Sequence, residues 1–252
     1  MKTLVKFVLQ KVLGFKNYLF IFSLYIIATL KSNRKEGDFL HFLSMLPDNS
    51  NVLDIGANIG VMTVHMARKL PSSEVFSFEP VPDNLFTLKR LLRFFKIANV
   101  KVFEFALGNY EGTAEIMLPE HKNVKFQGLS HIEGVEGTEG DRGVLYTVAM
   151  HKLDDIPELH SLTRKISGIK IDVENYEFNV LDGARKLLEF HKPIVYAELW
   201  DNQNRIDCLK LMSDIGYSTF VLDNGVLVIF EANRHKTQNF FFQILPDAKG
   251  QV

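Results

Sequence analysis

The sequence predicts an α/β fold: a doubly wound, mostly parallel sheet with an N-terminal helical extension. Strand and helix signals alternate from Asn51 onward, which is typical of a parallel sheet covered by helices. The first strand signal is the apolar run 52–55, and helical spacing over 61–70 follows it across a turn with two glycines. Such a strand, turn and helix form the opening of one half of a doubly wound sheet.

The other elements continue this alternation. A strand at Glu74–Phe78 precedes a helix that Pro82 opens, and the next strand is predicted at 101–107. Later strands are predicted at 113–118, 145–150, 168–173 and 194–199, later helices at 177–190 and 205–215, and a hairpin at 218–222 and 226–230 around Asp223-Asn224-Gly225.

The segment between the strands at 113–118 and 145–150 differs from the rest of the chain. It is rich in glycine and acidic residues, as expected of a lid over an active site or of a surface excursion, and the lid is the favoured interpretation. We therefore divide the chain into an N-terminal helical segment (1–48), a ligand-binding domain (49–246) and a loose tail (247–252).

Composition excludes several classes of protein. A chain of 252 residues with 46% hydrophobic and 23% charged residues is an ordinary globular protein with room for a sizeable core. A formal net charge of -1 does not favour nucleic acid as a partner. The single cysteine, Cys208, cannot form an intramolecular disulfide, which is consistent with a cytoplasmic protein.

The N-terminal segment is both basic and apolar. Seven cationic residues precede the first acid, Glu36: Lys2, Lys6, Lys11, Lys16, Lys31, Arg34 and Lys35. The uncharged run 17–30 is shorter than the roughly 20 residues of a membrane span. Two interpretations remain, a helical cap packed on the domain and a helix of residues 1–30 lying on an anionic membrane surface, which would place the protein at the inner face of a membrane. Short apolar runs are more often buried helices, which favours the cap.

The glycine turn at 52–60, VLDIGANIG, indicates a nucleoside-type ligand. Asp54 ends the strand, and Gly56 and Gly60 bracket the turn, so that bare backbone and one carboxylate meet at the top of the sheet. Asn58 stands where a dinucleotide fingerprint has its second glycine, which disfavours a nicotinamide cofactor. Glu79 follows the next strand at the interval typical of an acid that binds ribose hydroxyls.

A second polar group is predicted across the cleft. Lys170, Asp172 and Glu174 alternate along a strand and therefore share one face, and Glu198 ends the neighbouring strand. An ion pair between Lys170 and Asp172 would account for two of them structurally, whereas the cluster as a whole suits an acceptor hydroxyl. The three carboxylates could also gather a divalent cation, although no metal site is assigned. His131, in the lid segment, is an alternative base.

Five motifs in order resemble the FkbM family of methyltransferases. They are VLDIGANIG at 52–60, FEP at 78–80, ALG at 106–108, KIDVE at 170–174 and VLDGA at 180–184. The resemblance implies a class I methyltransferase (Rossmann-like) fold and S-adenosylmethionine as cofactor. It places Asp54, Gly56, Asn58 and Gly60 at the methionyl and ribose side, Glu79 on the ribose, and Ala106 and Leu107 beside the adenine.

One departure from the family pattern occurs after KIDVE. Asn175 stands where the family usually has glycine, and asparagine tolerates positive backbone angles better than most residues, so we expect the turn to survive.

These observations predict an O-methyltransferase that acts on a hydroxyl of a sugar, a glycan or another small molecule; the preference for sugar rests on the resemblance alone. In this hypothesis Asp172 takes the acceptor proton, Lys170 orients Asp172 or stabilises the developing alkoxide, and Glu174 and Glu198 hold the acceptor. The alternatives are a nicotinamide-dependent reductase and a non-enzymatic adaptor at a membrane surface. The sequence does not indicate an oligomeric state.

Overall fold

The computed structural model of the protein describes residues 2–121, 124–125, 130–134 and 142–245. The helices are α1 Lys2–Leu13, α2 Phe15–Thr29, α3 Gly37–Met45, α4 Val61–Lys69, α5 Pro82–Phe94, α6 Pro157–His160, α7 Glu177–Asp182, α8 Arg185–His191 and α9 Gln203–Asp214. The strands are β1 Asn51–Ile55, β2 Glu74–Phe78, β3 Val100–Phe103, β4 Ala106–Leu107, β5 Gly112–His121, β6 Val124–Lys125, β7 His131–Ile132, β8 Gly143–His151, β9 Ile166–Ile171, β10 Ile194–Glu198, β11 Ser218–Asp223, β12 Val226–Ile229 and β13 Asn239–Gln243.

The main sheet confirms the predicted doubly wound fold. Its strand order is β12-β11-β13-β10-β9-β1-β2-β3, with β10, β9, β1, β2 and β3 parallel and the pairs at the other edge antiparallel. The winding reverses between β1 and β9, since β2 and β3 extend to one side and β10 to the other. Ligands of open α/β sheets bind at this switch point, beyond the carboxyl ends of the strands.

Alternating side chains of the sheet build two cores. Val52 and Val75 contribute to a core shared with α2, α3 and α4, whereas Leu53 and Phe76 contribute to the opposite core, which is shared with α7, α8 and α9. All four side chains are fully buried. Because both faces are covered by helices, the central strands carry continuous apolar runs instead of alternating polar and apolar residues.

The N-terminal helices form a layer on the first of these cores. Tyr18, Leu19 and Ile27 of α2 and Phe39 and Phe42 of α3 are buried against it. The predicted packing as a cap therefore describes α2 and α3 in the structure. Within the described residues, no helix is both long and apolar enough to traverse a lipid bilayer.

A smaller sheet lies beside the carboxyl ends of the main strands. β5 and β8 form its long antiparallel pair, from Gly112 opposite Met150 to Pro119 opposite Gly143, and β4, β6 and β7 pair at their margins. Both long strands extend beyond the predicted 113–118 and 145–150. The predicted lid falls largely on residues 126–129 and 135–141, and the predicted tail on 247–252, all outside the described residues.

The prediction of one strand over 101–107 was wrong. The chain leaves the main sheet after Phe103 and pairs Ala106 with Met150 of the smaller sheet. Phe105 lies where the chain passes from one sheet to the other, and its ring packs against those of Phe78 and Phe103. Apolar residues recur on both sides of Glu104, so the sequence conceals the change of pairing partner.

The predicted helix at 177–190 is two helices, α7 and α8. The break falls at Gly183, where a Cβ atom would overlap the carbonyl oxygen of Gly108. The Gly183 carbonyl accepts a hydrogen bond from the Asp154 backbone N–H at 2.9 Å. A close approach between backbones therefore interrupts a sequence with helical periodicity.

β13 was not predicted, although it occupies an internal position between β10 and β11. Its three phenylalanines, Phe240, Phe241 and Phe242, have no exposed surface. The hairpin that precedes it is confirmed: Asn224 and Gly225 have φ of 50° and 83°, as a two-residue turn of primed type requires.

We predict that Phe241→Ala lowers the free energy of unfolding by about 3–5 kcal/mol, because it removes a fully buried ring and leaves a cavity in the core shared with α2, α3 and α4. Phe190→Ala is the matched control, since that ring is 74% exposed and its loss should change stability by less than about 0.5 kcal/mol. Urea denaturation of both variants measures the difference. Equal stability of the two variants would contradict the internal position of β13.

Candidate active site

The glycine turn closes directly onto the neighbouring strand. Gly56 has φ of 72°, and a Cβ atom there would overlap the backbone carbonyl oxygen of Asp172. The Asp172 N–H donates to the Ile55 carbonyl at 3.1 Å, which joins the ends of β1 and β9. Only glycine permits this contact, so Gly56 brings the turn and Asp172 to the same edge of the cleft.

Asp54 and Lys170 form a buried ion pair beneath the turn. The Lys170 ammonium lies 3.5 Å from an oxygen of Asp54 and 3.5 Å from one of Asp172, and it donates to the Gly56 carbonyl at 2.9 Å. Thr63 donates to the other oxygen of Asp54 at 2.5 Å. Burial alone would lower the pKa of Lys170, but the charges of Asp172 and Asp54 outweigh it and raise the pKa, so the lysine stays cationic.

This arrangement limits what Asp54 and Lys170 can contact. Both side chains are almost completely buried, at 0% and 5% exposed, whereas that of Asp172 is 39% exposed. The structure therefore places Asp54 and Lys170 under the turn and Asp172 at its surface. The ion pair between Lys170 and Asp172 is present, and it holds the exposed carboxylate in place.

Glu79 organises the opposite wall of the cleft. It is buried and accepts hydrogen bonds from the N–H groups of Asn58 at 2.8 Å and Val81 at 2.9 Å and from the Asn84 amide at 3.1 Å. Burial raises the pKa of Glu79 to about 7 against these hydrogen bonds, which favour its ionised form. The predicted acid after the second strand thus also fixes the backbone of the glycine turn.

A cavity of about 80 Å³ opens between these groups. Gly56, Asn58, Glu79 and Asn84 line one side, and an apolar wall faces them: Phe78, Phe105, Ala106, Leu107 and Ile116. His131, buried on β7, lines the wall contributed by the smaller sheet.

The far end of the cavity is acidic. Asp172 and Glu174 line it, and Glu198 and Glu36 interact with them electrostatically. Burial raises the pKa of Glu174 to about 8 and that of Glu198 to about 7, and the charge of Asp172 adds to both shifts. Burial and Asp172 also raise the pKa of Glu36. Near neutral pH, Glu174 is mainly protonated and can donate a hydrogen bond.

The predicted alternation along KIDVE holds only as far as Asp172. β9 ends at Ile171, and Glu174 and Asn175 have φ of 52° and 72°. Glu174 therefore reaches the cavity through a left-handed turn, not through strand periodicity. The expectation that Asn175 preserves the turn is correct, since it adopts the positive angle that glycine would supply.

Glu177, which the sequence reasoning missed, stabilises this turn. It is buried and accepts hydrogen bonds from the N–H groups of Val173 and Asn175, both at 3.2 Å, and from the Asn204 amide at 2.6 Å. Asn84 was missed as well. Each stands in the first turn of a helix, where a polar residue ordinarily indicates only a helix start.

Gly60 does not line the cavity. A Cβ atom there would overlap the side chain of Leu88, so its role is the packing of α4 against α5. The cation hypothesis gains no support, since no cluster of histidine, cysteine or acidic side chains suited to a metal occurs in the part of the chain that the structure describes.

The residues of the cavity fit S-adenosylmethionine. The buried Asn84 Oδ1 has no hydrogen-bond partner among the described residues, and the Glu79 carboxylate beside it retains acceptor capacity for ribose hydroxyls. Ala106 and Leu107 offer the apolar surface that an adenine ring requires. Asp172 lines the same cavity beside the glycine turn.

Comparison with known proteins agrees with this geometry. The family model for the methyltransferase FkbM domain matches residues 54–242 of this chain. Methyltransferase sdnD of Sordaria araneosa is 28% identical over 203 residues, which are 71% of this chain and 78% of that protein. Methyltransferase 1 of Beauveria bassiana is 24% identical over 157 residues, 58% of this chain and 63% of that protein.

A solved structure supports the fold. The methyltransferase FkbM of Methylobacillus flagellatus KT superposes with a TM-score of 0.51 at 19% identity, over 79% of this chain and 45% of that one. This chain thus spans less than half the length of that structure. The family match covers most of the chain and includes both sides of the cavity. The chain belongs to the FkbM methyltransferase family, with S-adenosylmethionine as its methyl donor.

Proposed function

We propose that the protein transfers the methyl group of S-adenosylmethionine to a hydroxyl oxygen of a sugar, a glycan or another small molecule. The observation that carries this proposal is Asp172, the carboxylate that is exposed at the glycine turn while its ion-pair partner Lys170 is buried. A hydroxyl acceptor needs a proton acceptor at the reacting oxygen, and Asp172 is placed to be one.

The bound cofactor supplies a sulfonium carbon that is already electrophilic, so the protein contributes mainly alignment and proton removal. Asp172 accepts the hydroxyl proton as the oxygen forms its bond to the methyl carbon and the bond from that carbon to sulfur breaks. The products are a methyl ether, S-adenosylhomocysteine and the protonated carboxyl of Asp172.

The acidic end of the cavity suits a polyhydroxylated acceptor. Glu198, half-buried and with a pKa near 7, offers acceptor oxygens, and the largely protonated Glu174 offers a donor. A sugar presents neighbouring hydroxyls that are both donors and acceptors. We therefore assign the binding of the acceptor to Glu174 and Glu198.

Lys170 acts as a positioning residue in this proposal. Its ammonium contacts Asp54, Asp172 and the Gly56 carbonyl, and its side chain is 5% exposed. A direct contact with a developing alkoxide would require these three contacts to break. Of the two roles predicted for Lys170, the orientation of Asp172 is the one that its contacts favour.

Asp172→Asn is expected to lower kcat by about 10²–10⁴-fold, because it removes the proton acceptor. Cofactor affinity should stay nearly unchanged, since the amide preserves the shape of the side chain. The assay is transfer of a labelled methyl group from S-adenosylmethionine to glycans and small molecules extracted from cells that lack the gene, with cofactor binding measured by calorimetry.

Asp201→Asn is the matched control for this variant. Asp201 follows β10 at the same edge of the sheet, and its side chain is 92% exposed. Its variant should retain full turnover. Strong turnover by Asp172→Asn, or an equal loss in both variants, would contradict the assignment of Asp172 as the base.

Cofactor affinity should depend on pH through Glu79. Burial raises the pKa of this carboxyl to about 7 in the free protein, and ribose hydroxyls donate to its ionised form. Binding therefore requires loss of a proton below pH 7, so affinity should fall by up to about tenfold per pH unit below about 7 and level off above it. Calorimetric titration with S-adenosylhomocysteine measures this profile.

Glu79→Gln should bind more weakly and with a flatter pH profile, because its amide does not titrate. Circular dichroism across the same pH range controls for unfolding of either form. A wild-type affinity that is independent of pH, or an unchanged slope in Glu79→Gln, would show that Glu79 does not hold the ribose.

The acceptor can be identified by mass spectrometry of glycans and small metabolites from cells with and without the gene. We expect one species to lose a CH₂ unit when the gene is deleted and to regain it with wild-type protein but not with Asp172→Asn. A methyl group found on nitrogen or carbon would overturn the proposed oxygen chemistry.

A further inference from the structure

α1 exposes several of its apolar residues. Val5, Val8, Leu9 and Val12 recur at helical spacing, and their exposed fractions are 53%, 49%, 40% and 75%. The half-buried side of the helix includes Lys6, Phe7, Gln10 and Leu13. Among the residues that the structure describes, none covers the outward apolar stripe.

The paired helix α2 continues this surface. Its inner side is buried in the core, whereas Ile21 and Tyr25 are 51% and 66% exposed, and Ala28 follows at the same helical spacing. α1 and α2 contact each other and are joined at Gly14, which has φ of 72°. We call the exposed residues Val5, Val8, Leu9, Val12, Ile21, Tyr25 and Ala28 the outer face of the helical layer. Contiguous exposed apolar residues of this kind indicate an interaction site.

The charged side chains of α1 and α2 are all cationic, and one of them, Lys16, lies 3.8 Å from Asp83 of α5. Seven lysine and arginine residues and no acid occur before Glu36. Lys11, Lys16, Lys31, Arg34 and Lys35 are exposed. A symmetric contact between two copies would bring these cations together at a cost in free energy, whereas an anionic surface would attract them.

A basic cavity lies at the end of α2, next to the outer face. Ala28 belongs to both, and Lys31, Arg68 and Lys69 surround the cavity together with His65. His65 is 9% exposed, and its Nε2 has no hydrogen-bond partner among the described residues. No carboxylate of the described chain forms an ion pair with Lys31, Arg68 or Lys69. Three cations that form no ion pair among the described residues suit a phosphate group.

We propose that the outer face of α1 and α2 lies on an anionic phospholipid surface and that the cavity at Lys31 and His65 receives a lipid phosphate. The helices rest in the interfacial plane with the apolar stripe among the upper acyl chains, as amphipathic helices do, and the lysines lie at the level of the headgroups. This proposal is independent of the methyl acceptor.

Flotation with vesicles tests the proposal on the full chain. Wild-type protein is expected to float with phosphatidylcholine vesicles that contain phosphatidylserine and to remain in the dense fraction with phosphatidylcholine alone, and added salt should weaken its binding. Equal flotation with both kinds of vesicle, or none with either, would overturn the proposal.

Val8→Asp and Val12→Asp test the apolar stripe. Each should weaken partitioning onto the anionic vesicles by about tenfold, since aspartate replaces a valine that would otherwise enter the acyl region. Phe190→Asp is the control, because Phe190 is 74% exposed on α8, remote in sequence, and should bind as the wild type does. An equal loss in all three variants would contradict a specific outer face.

The double variant Lys31→Gln/Lys69→Gln tests the basic cavity, with Lys210→Gln/Lys236→Gln as a control for total charge. We expect the first double variant to reduce flotation at least several-fold more than the second.

Sedimentation velocity tests whether a second copy of the chain covers the outer face instead. A stable dimer that Val12→Asp dissociates, without lipid binding by the wild type, would assign the face to a second copy of the chain.

Discussion

The two halves of the site depend on the contacts of the Lys170 ammonium. It joins Asp54 at the end of β1, the Gly56 carbonyl within the turn, and Asp172 after β9. A buried cation is costly unless it is paired and hydrogen-bonded, and these three contacts offset that cost. The same contacts join the glycine turn to the proposed base.

The buried carboxylates beside this lysine have complementary structural roles. Glu79 binds backbone N–H groups of the glycine turn, and Glu177 binds those of the turn after β9. The backbone N–H groups of these turns have no acceptor within a strand or helix, and the two carboxylates accept their hydrogen bonds in place of water. The cavity is therefore bounded by two turns, each held by a buried carboxylate, and an organised backbone of this kind needs little rearrangement when a ligand enters.

The sequence was sufficient to predict the doubly wound sheet and the proximity of the glycine turn to Glu79, because both lie within one continuous unit of strand, helix and strand. It was insufficient where function depends on contacts distant in the chain. The burial of Lys170 follows from its pairing with Asp54, 116 residues earlier in the numbering. Similarly, the split at Gly183 follows from the backbone of Gly108, and the exposure of α1 follows from which of its sides meets α2.

The internal position of β13 has a consequence for the order in which the sheet can form. β10 and β11 are synthesised first, yet they do not pair with each other, because residues 239–243 lie between them. Until that segment leaves the ribosome, each strand has an unpaired edge of backbone donors and acceptors, which is a hazard for aggregation. The α2 and α3 layer also lacks Phe241, one of its buried contacts, during that interval. Completion of the core is thus a late event in synthesis, and a nascent chain truncated before residue 239 should depend on chaperones far more than the full chain does.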